Sequence, residues 1–358
     1  MKKKVMVGMS GGVDSSVAAA LLLDQGYDVT GATMKLWDGQ EDHRDPGTRT
    51  CCSVDDVEDA RAVAASLEVP FYVLNMKSQF REKVVDPFVD SYLNGETPNP
   101  CMECNRHLKF QAMLDKALSL GFDYIATGHY AIVEFDQTRG KYLLRKGLDP
   151  AKDQSYFLYM LTQEQLSHVV FPLGTMNKTE IRAYAAEHGM RVRSKPDSQD
   201  ICFVENGKYQ EFIQTESPKA IEPGNFLDLS GKVLGKHKGI TAYTVGQRKG
   251  LGISSAAPLY VVGKNAADNT VILGARSDTL KKEFLVRDVS YTFLEQPTEP
   301  FQAKVKVRYS ADEVEAILYP LEDGRVRVQL IKPHPFVAPG QAAVFYQGDL
   351  VLGGGTIL

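Results

Sequence analysis

The chain begins with an apolar run, Val5 to Met9, followed after a short polar gap by an alanine- and leucine-rich segment, Ser16 to Leu23. The first pattern predicts a buried strand and the second a helix with an apolar face. The alternation then repeats. Asp28 to Met34 is a second strand, and Asp38 to Thr50, polar with glycine and proline, is a loop. Ser53 is placed to cap a helix over Val54 to Leu67, whose apolar positions recur at helical spacing. Phe71 to Leu74 is a third strand, Phe80 to Leu93 is helical, Cys104 to Leu120 contains another helix, and Tyr124 to Thr127 is a fourth strand. Asn177 and Glu180 stand at capping-box spacing at the head of a helix that runs to Glu187. After about residue 205 the helical period fades, and short β-rich runs take over, such as Thr241 to Val245 and Leu259 to Val262. A further β-rich unit begins near Phe284. Within it Gln302 to Tyr309 and Arg325 to Ile331 alternate polar and apolar, as half-buried strands do.

Strands alternating with helices imply a parallel sheet covered on both faces, with ligands outside the carboxyl ends of the strands. The fold class is therefore α/β at the start: a parallel-sheet, Rossmann-like nucleotide-binding domain over 1–205. A small β-rich central domain over 206–280 and a C-terminal β-barrel over 281–358 follow. No internal repeats or low-complexity tracts interrupt this plan.

The stretch that joins the first strand to the first helix is Ser10-Gly11-Gly12-Val13-Asp14-Ser15. Two adjacent glycines let the backbone turn sharply and approach a ligand closely. Ser15 and Ser16 fall where a helix N-terminus offers unsatisfied amides and the positive end of its dipole, which makes an anion cradle. A Walker A loop would end in Gly-Lys-Ser/Thr, and no lysine stands here; the Gly-x-Gly-x-x-Gly dinucleotide pattern is also absent. Ser-Gly-Gly-x-Asp-Ser after a first strand resembles the pyrophosphate loop of ATP pyrophosphatases. Asp14 then makes sense as a carboxylate that shares a Mg²⁺ with the phosphates.

Composition narrows the setting. The chain has 358 residues, 43% hydrophobic and 24% charged, which suits a water-soluble protein of two or three domains. No apolar run approaches membrane-spanning length, and Met1 with its three lysines runs straight into the first strand. We therefore expect no signal peptide, no membrane partner and a cytoplasmic location. The net charge of −4 argues against a protein that is basic throughout, while leaving room for a local nucleic-acid patch. Such a patch is offered by Lys232, Lys236, Lys238, Arg248, Lys249 and Lys264, since no acidic residue lies between Leu229 and Ala267. It reads either as a phosphate-tracking face or as a solvated loop surface.

Five cysteines in an intracellular chain point to metal or catalytic roles rather than a disulfide framework. Cys101 and Cys104 form a Cys-x-x-Cys near a helix start, a setting suited to redox or sulfur transfer. Cys202 lies in Ser198-Gln199-Asp200-Ile201-Cys202-Phe203. Cys51 and Cys52 are adjacent in a loop and read as structural. Structural zinc would need four ligands, and no second Cys-x-x-Cys exists. An iron–sulfur cluster on Cys101, Cys104 and Cys202, with one iron open, stays possible on residue type. His129 either touches a nucleotide or satisfies a core hydrogen bond.

Taken in order, the pyrophosphate loop, Asn99-Pro100-Cys101-Met102-Glu103-Cys104-Asn105, Ala126-Thr127-Gly128-His129-Tyr130, Lys152-Asp153-Gln154-Ser155-Tyr156 and Ile201-Cys202-Phe203 resemble the tRNA-specific 2-thiouridylases. The likeness continues through Thr244 to Gly252 and Arg308-Tyr309, so it covers essentially the whole chain. The resemblance implies an enzyme that uses ATP and a persulfide sulfur to make 2-thiouridine at the wobble position of tRNA. Carried over, Gly8, Met9, Ser10, Gly11, Gly12, Val13, Asp14 and Ser15 hold the ATP phosphates, and Met34 and Gly128 contact the adenosine. Trp37, near the end of the second strand, is a further residue that could cover the base. Cys104 matches the nucleophile and Cys202 the persulfide carrier. Asn99, Pro100 and Cys101 surround the target base, while Lys152, Asp153, Gln154, Arg308 and Tyr309 contact tRNA. A sulfur donor protein is also implied, a cysteine desulfurase or a sulfur carrier.

One position departs from the pattern. Many members carry aspartate, credited with acid/base help, where this chain has Cys101; the extra thiol points to a redox partner or a cluster ligand instead. The scheme is chemically coherent: adenylation turns the uracil oxygen into a good leaving group, and a second thiol can free the sulfur by forming a disulfide. The uridine has to leave its stack to enter the pocket. The competing readings are a pyrophosphate-loop amide ligase, which needs no cysteine, and a non-catalytic RNA-binding iron–sulfur or zinc protein, which needs no pyrophosphate loop.

Overall fold

The structure, a computed structural model, describes residues 2–37, 54–197, 201–204, 208–217 and 222–358. The expected loop over Asp38 to Thr50, the Ser53 cap, Cys51, Cys52 and Ser198 to Asp200 lie outside the described residues. The chain divides into two compact units. One comprises Met1–Val84, Cys101–Gly207 and Asp349–Val351; the other comprises Val85–Pro100, Lys208–Gly348 and Leu352–Leu358.

The first unit is built on a parallel sheet in the order β3-β2-β1-β4-β7. Its strands are β1 (Lys4–Gly8), β2 (Asp28–Lys35), β3 (Phe71–Asn75), β4 (Tyr124–Ala126) and β7 (Val169–Val170). β1 is central: Val5 is paired with Val29 on one side and Tyr124 on the other. Strands buried on both faces need unbroken apolar runs, which explains why β1 and β2 lack alternation. Val5, Val7 and Val29 pack with Val17 and Leu22 of helix Val13–Asp24, Ala60 and Val63 of helix Val54–Ser66, and Ile181 of helix Lys178–Glu187. The Asn177 capping box forms as expected: its side chain accepts from the Glu180 amide at 3.0 Å, and Glu180 accepts from the Asn177 amide at 2.8 Å.

Two features of this unit lie outside the sequence pattern. β5 (Ala131–Asp136) and β6 (Lys141–Lys146) form a hairpin directly after the Gly128 turn, with Leu350 paired to Arg145 beside it. The helix that follows Cys104 is wound wide, with i to i+5 bonding over Cys104–Ala112, before it tightens over Met113–Ser119. Such widened turns frequently occur at functional sites.

The second unit holds a four-stranded sheet and a barrel. The sheet has the order β10-β11-β8-β9, from β8 (Gly224–Leu227), β9 (Val233–His237), β10 (Tyr260–Asn265) and β11 (Thr270–Gly274). Its core is Phe226, Val261, Val271 and Leu273, with Ile240 and Tyr243 packed in. The expected strand over Thr241 to Val245 is instead a short 3₁₀ turn, Ile240–Ala242, that buries Thr241. Its β-branched residues fill the space beside Phe226 rather than a ladder, a tertiary override of β-propensity. The fading of helical period after 205 also hid a short helix, Tyr209–Glu216.

The barrel runs β12 (Leu280–Tyr291), β15 (Val326–Pro335), β14 (Val314–Pro320), β13 (Phe301–Lys306), β16 (Ala342–Gln347), β17 (Leu350–Ile357), and closes by pairing β12 with β17. Ala303, Val305, Val326, Val328 and Leu330 point inward at alternate positions, as the sequence pattern required. Closure depends on the Gly353-Gly354-Gly355 run: Gly353 has φ +154, and a Cβ there would overlap the Ser290 carbonyl. β13 ends at Lys306, so Arg308 and Tyr309 stand beyond it rather than within a strand.

Candidate active site

At the carboxyl end of β1 the chain passes from Gly8 into the loop and enters helix Val13–Asp24 with Gly12 extended at the cap. Gly11 has φ +71, and a Cβ there would overlap the backbone carbonyl of Asp56, so no other residue fits. The loop is laced internally by serines. Ser15 Oγ accepts from the Ser10 amide at 3.1 Å and donates to the Gly12 carbonyl at 3.2 Å, while Ser16 Oγ donates to the same carbonyl at 2.9 Å. No side chain caps the helix at Gly12. The first amides of a helix have no partner within it, and the dipole there favours an anion. Gly128, at the end of β4, lies so close that a Cβ on it would stand 2.8 Å from the Ser15 nitrogen. A bare backbone at 128 is thus a steric condition of the cradle.

Asp14 is the charged residue of the loop, and its Oδ1 is held twice: Lys178 Nζ donates at 2.6 Å and Tyr130 Oη at 2.8 Å. Burial, reinforced by Asp14, pushes the Tyr130 phenol far above its ordinary pKa, so it remains a donor. The Lys178 ammonium, on a side chain only 13% exposed, also meets Asp197 Oδ1 at 2.7 Å. Asp197 further accepts from Lys152 at 2.7 Å and Arg182 at 3.2 Å. Burial raises the Asp197 pKa, but the hydrogen bonds from Lys152 and Lys178 outweigh it and hold the carboxyl below its ordinary value. Below the loop, Lys195 bridges Asp56 at 2.7 Å and Asp59 at 2.8 Å.

The three cysteines differ in setting. Cys101 is exposed, Cys104 is 7% exposed within the widened helix, and Cys202 is half-buried. Phe203, next to Cys202, is buried with its ring 5.5 Å from Phe80 and 6.4 Å from Trp37. Trp37 therefore belongs to the aromatic packing beside Cys202, not to a free cover for a base. Among the described residues no three cysteine, histidine or carboxylate side chains gather as metal ligands.

The remaining expected residues fall into two groups. Met34 is half-buried at the end of β2, and Asn99 is half-buried just before helix Pro100–Glu103, in which Pro100 is the first residue. Met9 and Val13 are in the core: the Met9 thioether is buried and its backbone is bonded to Ala32 and Thr33, so only its main chain frames the loop. Asp153 is buried, and its carboxylate accepts from the Gly147 amide at 3.0 Å and from Ser155 at 2.9 Å. Gln154 Oε1 accepts from the Tyr130 amide at 3.1 Å. The Lys152-Asp153-Gln154 segment is thus bonded to Asp197, Gly147, Ser155 and Tyr130 within its own unit. His129 hydrogen-bonds Thr127 at 2.7 Å with its ring 5.6 Å from Phe110. Burial, with the Lys109 charge adding to it, holds its pKa well below the ordinary value, although its side chain is only half-buried by surface exposure. In the second unit Tyr309 is exposed, with Lys306 Nζ 5.4 Å from its ring centre, and the Arg308 guanidinium lies 5.6 Å from the Phe336 ring. Lys264 departs from the basic patch: it donates to the carbonyls of Tyr243 at 2.8 Å and Glu96 at 3.3 Å, and burial lowers its pKa to about 8.

Family profiles cover most of this chain. One described as the HUP domain of tRNA methyl transferase matches residues 3–206, a PRC-barrel domain of the same name matches 210–275, and an aminomethyltransferase β-barrel domain matches 281–357. A protein of Acetivibrio thermocellus described as tRNA-specific 2-thiouridylase MnmA is 53% identical over 356 residues, covering 99% of each chain. One of Clostridioides difficile with the same description is 49% identical and covers 100% of this chain and 98% of its own. The chain belongs to the tRNA-specific 2-thiouridylase family. Reading residue types missed Lys178, Asp197 and Arg182, and missed the bond from Tyr130, which together form the network around Asp14. Only Lys178 had a signal to find it by, since it is the first residue of a capped helix. Asp197 gave none, because what makes it matter is the three cations the fold brings to it.

Proposed function

We propose that this chain is an ATP-dependent tRNA uridine 2-sulfurtransferase acting on the wobble uridine. The observation that carries the reading is that one compact unit holds both an anion-cradling loop and the cysteine pair Cys104 and Cys202. ATP lies with its phosphates along Gly8 to Ser15 and its adenosine near Met34 and Gly128. The uracil O2 attacks the α-phosphate, pyrophosphate leaves, and the oxygen becomes part of a good leaving group. The terminal sulfur of a Cys202 persulfide then attacks C2, and AMP departs with the oxygen. The Cys104 thiolate attacks the Cys202 sulfur, which frees 2-thiouridine and leaves a Cys104–Cys202 disulfide. A thiol reductant resets the pair, and a cysteine desulfurase or sulfur carrier reloads Cys202.

The residues around the loop fit Mg²⁺. Asp14 is a single carboxylate at the phosphate cradle and already attracts a cation, Lys178, and Mg²⁺ commonly needs only one or two carboxylates beside phosphate oxygens. Bound between Asp14 and the phosphates, it would neutralise charge on the departing pyrophosphate. Tyr130 and Lys178 orient Asp14, and the loop amides hold the anion. In this reading 1–205 carries the chemistry, 206–280 and 281–358 face tRNA, and Arg308 and Tyr309 contribute there. No helix among the described residues is long and apolar enough to cross a membrane, and the enzyme works in the cytoplasm with its tRNA and ATP. Nucleoside analysis of bulk tRNA from cells lacking the protein tests the reading. Loss of 2-thiouridine is the expected result, and unchanged levels would overturn it.

A further inference from the structure

The segment that leads into Asn99 and Pro100 is bonded to the barrel and to the four-stranded sheet. Residues 85–100 belong to the second unit with both of these, and the boundary with the first unit falls between Pro100 and Cys101. The Thr97 amide donates to the Pro339 carbonyl at 2.8 Å, and Gln341 Nε2 donates to the Thr97 carbonyl at 2.6 Å. Gly340, with φ +87, comes so near that a Cβ on it would stand 2.9 Å from the Thr97 nitrogen. From β10, Lys264 Nζ reaches the Glu96 carbonyl at 3.3 Å. The main chain just before Asn99 is thus held by its own peptide groups.

One side-chain pair joins these backbone bonds. Arg287 Nη2 donates to both oxygens of the Glu96 carboxylate, at 3.0 and 3.2 Å. Arg287 comes from a part of β12 where the strand is irregular. It pairs with Thr356 of β17, and the next pair is Ser290 with Gly354, so three steps along β12 face two along β17. The extra residue makes a β-bulge, and Asp288 inside it has φ +53, a conformation uncommon outside glycine. A Cβ on Gly355 would overlap the Arg287 carbonyl, so the facing strand has to be bare there. Bulges re-aim the side chain beside them, and a sparsely populated φ persists only where the surroundings hold it. What stands beside this bulge is the arginine that reaches Glu96.

We propose that Arg287 is a positioning residue for the target uridine: paired with Glu96, it fixes the main chain three residues before Asn99 and with it the Asn99-Pro100 side of the base site. The proposal rests on the function proposed above and on the placement of Asn99 and Pro100 around the base. It adds that the barrel braces that site. In this role Arg287 touches neither the base nor ATP. A pair this exposed, 40% at the Arg287 side chain and 22% at Glu96, adds little to folding stability, so its loss is felt as geometry. Displacing the uridine slightly slows adenylation while the phosphate contacts that bind tRNA persist.

The test uses the full-length protein with Arg287→Met, Glu96→Gln, the two together, and Arg287→Lys. Backbone amide exchange over residues 94–99 is followed by mass spectrometry without tRNA or ATP. In parallel, tRNA-dependent pyrophosphate release gives kcat and the KM for tRNA. Each single change should speed exchange over 94–99 at least about threefold and leave β1 unchanged. Each should also lower kcat at least about fivefold, with the KM for tRNA within about twofold of wild type. The double variant should lose no more than the worse single one, since both changes break one contact. Arg287→Lys, which keeps the charge, should recover part of kcat. Glu96→Gln leaves the barrel intact and reads the same contact if Arg287→Met does not fold. Unchanged exchange over 94–99 overturns the proposal, as does faster exchange in β1 as well, which marks a purely structural role. A raised KM with kcat at the wild-type value would make Arg287 an RNA contact and overturn it too. So would losses that multiply in the double variant, or an Arg287→Lys as slow as Arg287→Met. The exchange arm needs no activity, so variants that exchange as expected beside a wild type that releases no pyrophosphate with tRNA would overturn the functional reading alone.

Discussion

In the unit that carries the pyrophosphate loop, Lys152, Lys178 and Lys195 each stand within 2.8 Å of a carboxylate. In the other unit Lys232, Lys236, Lys238, Arg248 and Lys249 are exposed and, among the described residues, form no ion pair. The same residue type thus does two kinds of work. A cation already matched to a carboxylate fixes geometry, because separating the pair would leave a charge poorly solvated. An exposed cation with no carboxylate beside it has its charge available to a polyanion, at the cost only of displacing counterions. Lys264 belongs to neither group, since its ammonium is held by two carbonyls. Lysine counts therefore say little about an RNA surface until partners are known.

The largest effect expected from breaking the paired side is at Asp14. Asp14→Ala removes the partner of Lys178 and Tyr130 and the carboxylate nearest the phosphates, and should lower tRNA-dependent pyrophosphate release by about 10²–10³-fold. Affinity for tRNA should stay near wild type in a filter-binding assay. Retention of pyrophosphate release would remove Asp14 from the site. Next come the thiols of the same unit. Cys104→Ser and Cys202→Ser should each abolish thiolation while ATP is still cleaved with tRNA present, and Cys101→Ser should keep measurable activity because serine can still donate and accept there. Equal inactivity of all three, with stoichiometric iron in anaerobically purified wild type, would restore the cluster reading.

On the unpaired side the effect should be smaller and salt-dependent. Replacing Lys236, Lys238, Arg248 and Lys249 by alanine should weaken tRNA binding and flatten the plot of log affinity against log salt, by about 0.7–0.9 for each phosphate that is no longer neutralised. ATP binding should be unaffected. An unchanged slope would make this face a solvated surface and erase the difference between the two sets of cations.

The smallest effect is at Lys264, whose folded pKa of about 8 lies below its ordinary 10.5. Between those values the unfolded chain binds more protons than the folded one, so stability rises with pH across the window. Lys264→Met should remove that rise. The stability of wild type relative to the variant should grow by about 1–3 kcal/mol from about pH 7.5 to about pH 10, read from urea midpoints. A difference that does not change with pH would show that Lys264 is not buried as an ammonium.

The parallel sheet, the loop, the Asn177 cap and the alternation of β13 and β15 were legible because each depends on neighbours close in sequence. Strand burial shows as an unbroken apolar run, capping as a pair three residues apart, and a half-buried strand as a period of two. The 3₁₀ turn at Ile240–Ala242 was not legible, since its β-branched residues satisfy strand propensity equally well and only Phe226 and Tyr243 decide the matter. Nor were the internal bonds of Lys152-Asp153-Gln154, a polar segment that reads as surface until Gly147, Ser155, Tyr130 and Asp197 are seen around it.

By itself the sequence determined that a sharp glycine turn opens the first helix, because Gly11 and Gly12 carry the required backbone freedom locally, and it marked Cys104 and Cys202 as candidates for sulfur chemistry. Only the tertiary structure decided which charges meet. Lys178 and Asp14 are 164 residues apart, and Lys195 and Asp56 are 139 apart. Coulomb energy depends on distance through space and on burial, neither of which is written in the order of residues, so the network joining the nucleotide loop to the segment before Cys202 exists only in the fold.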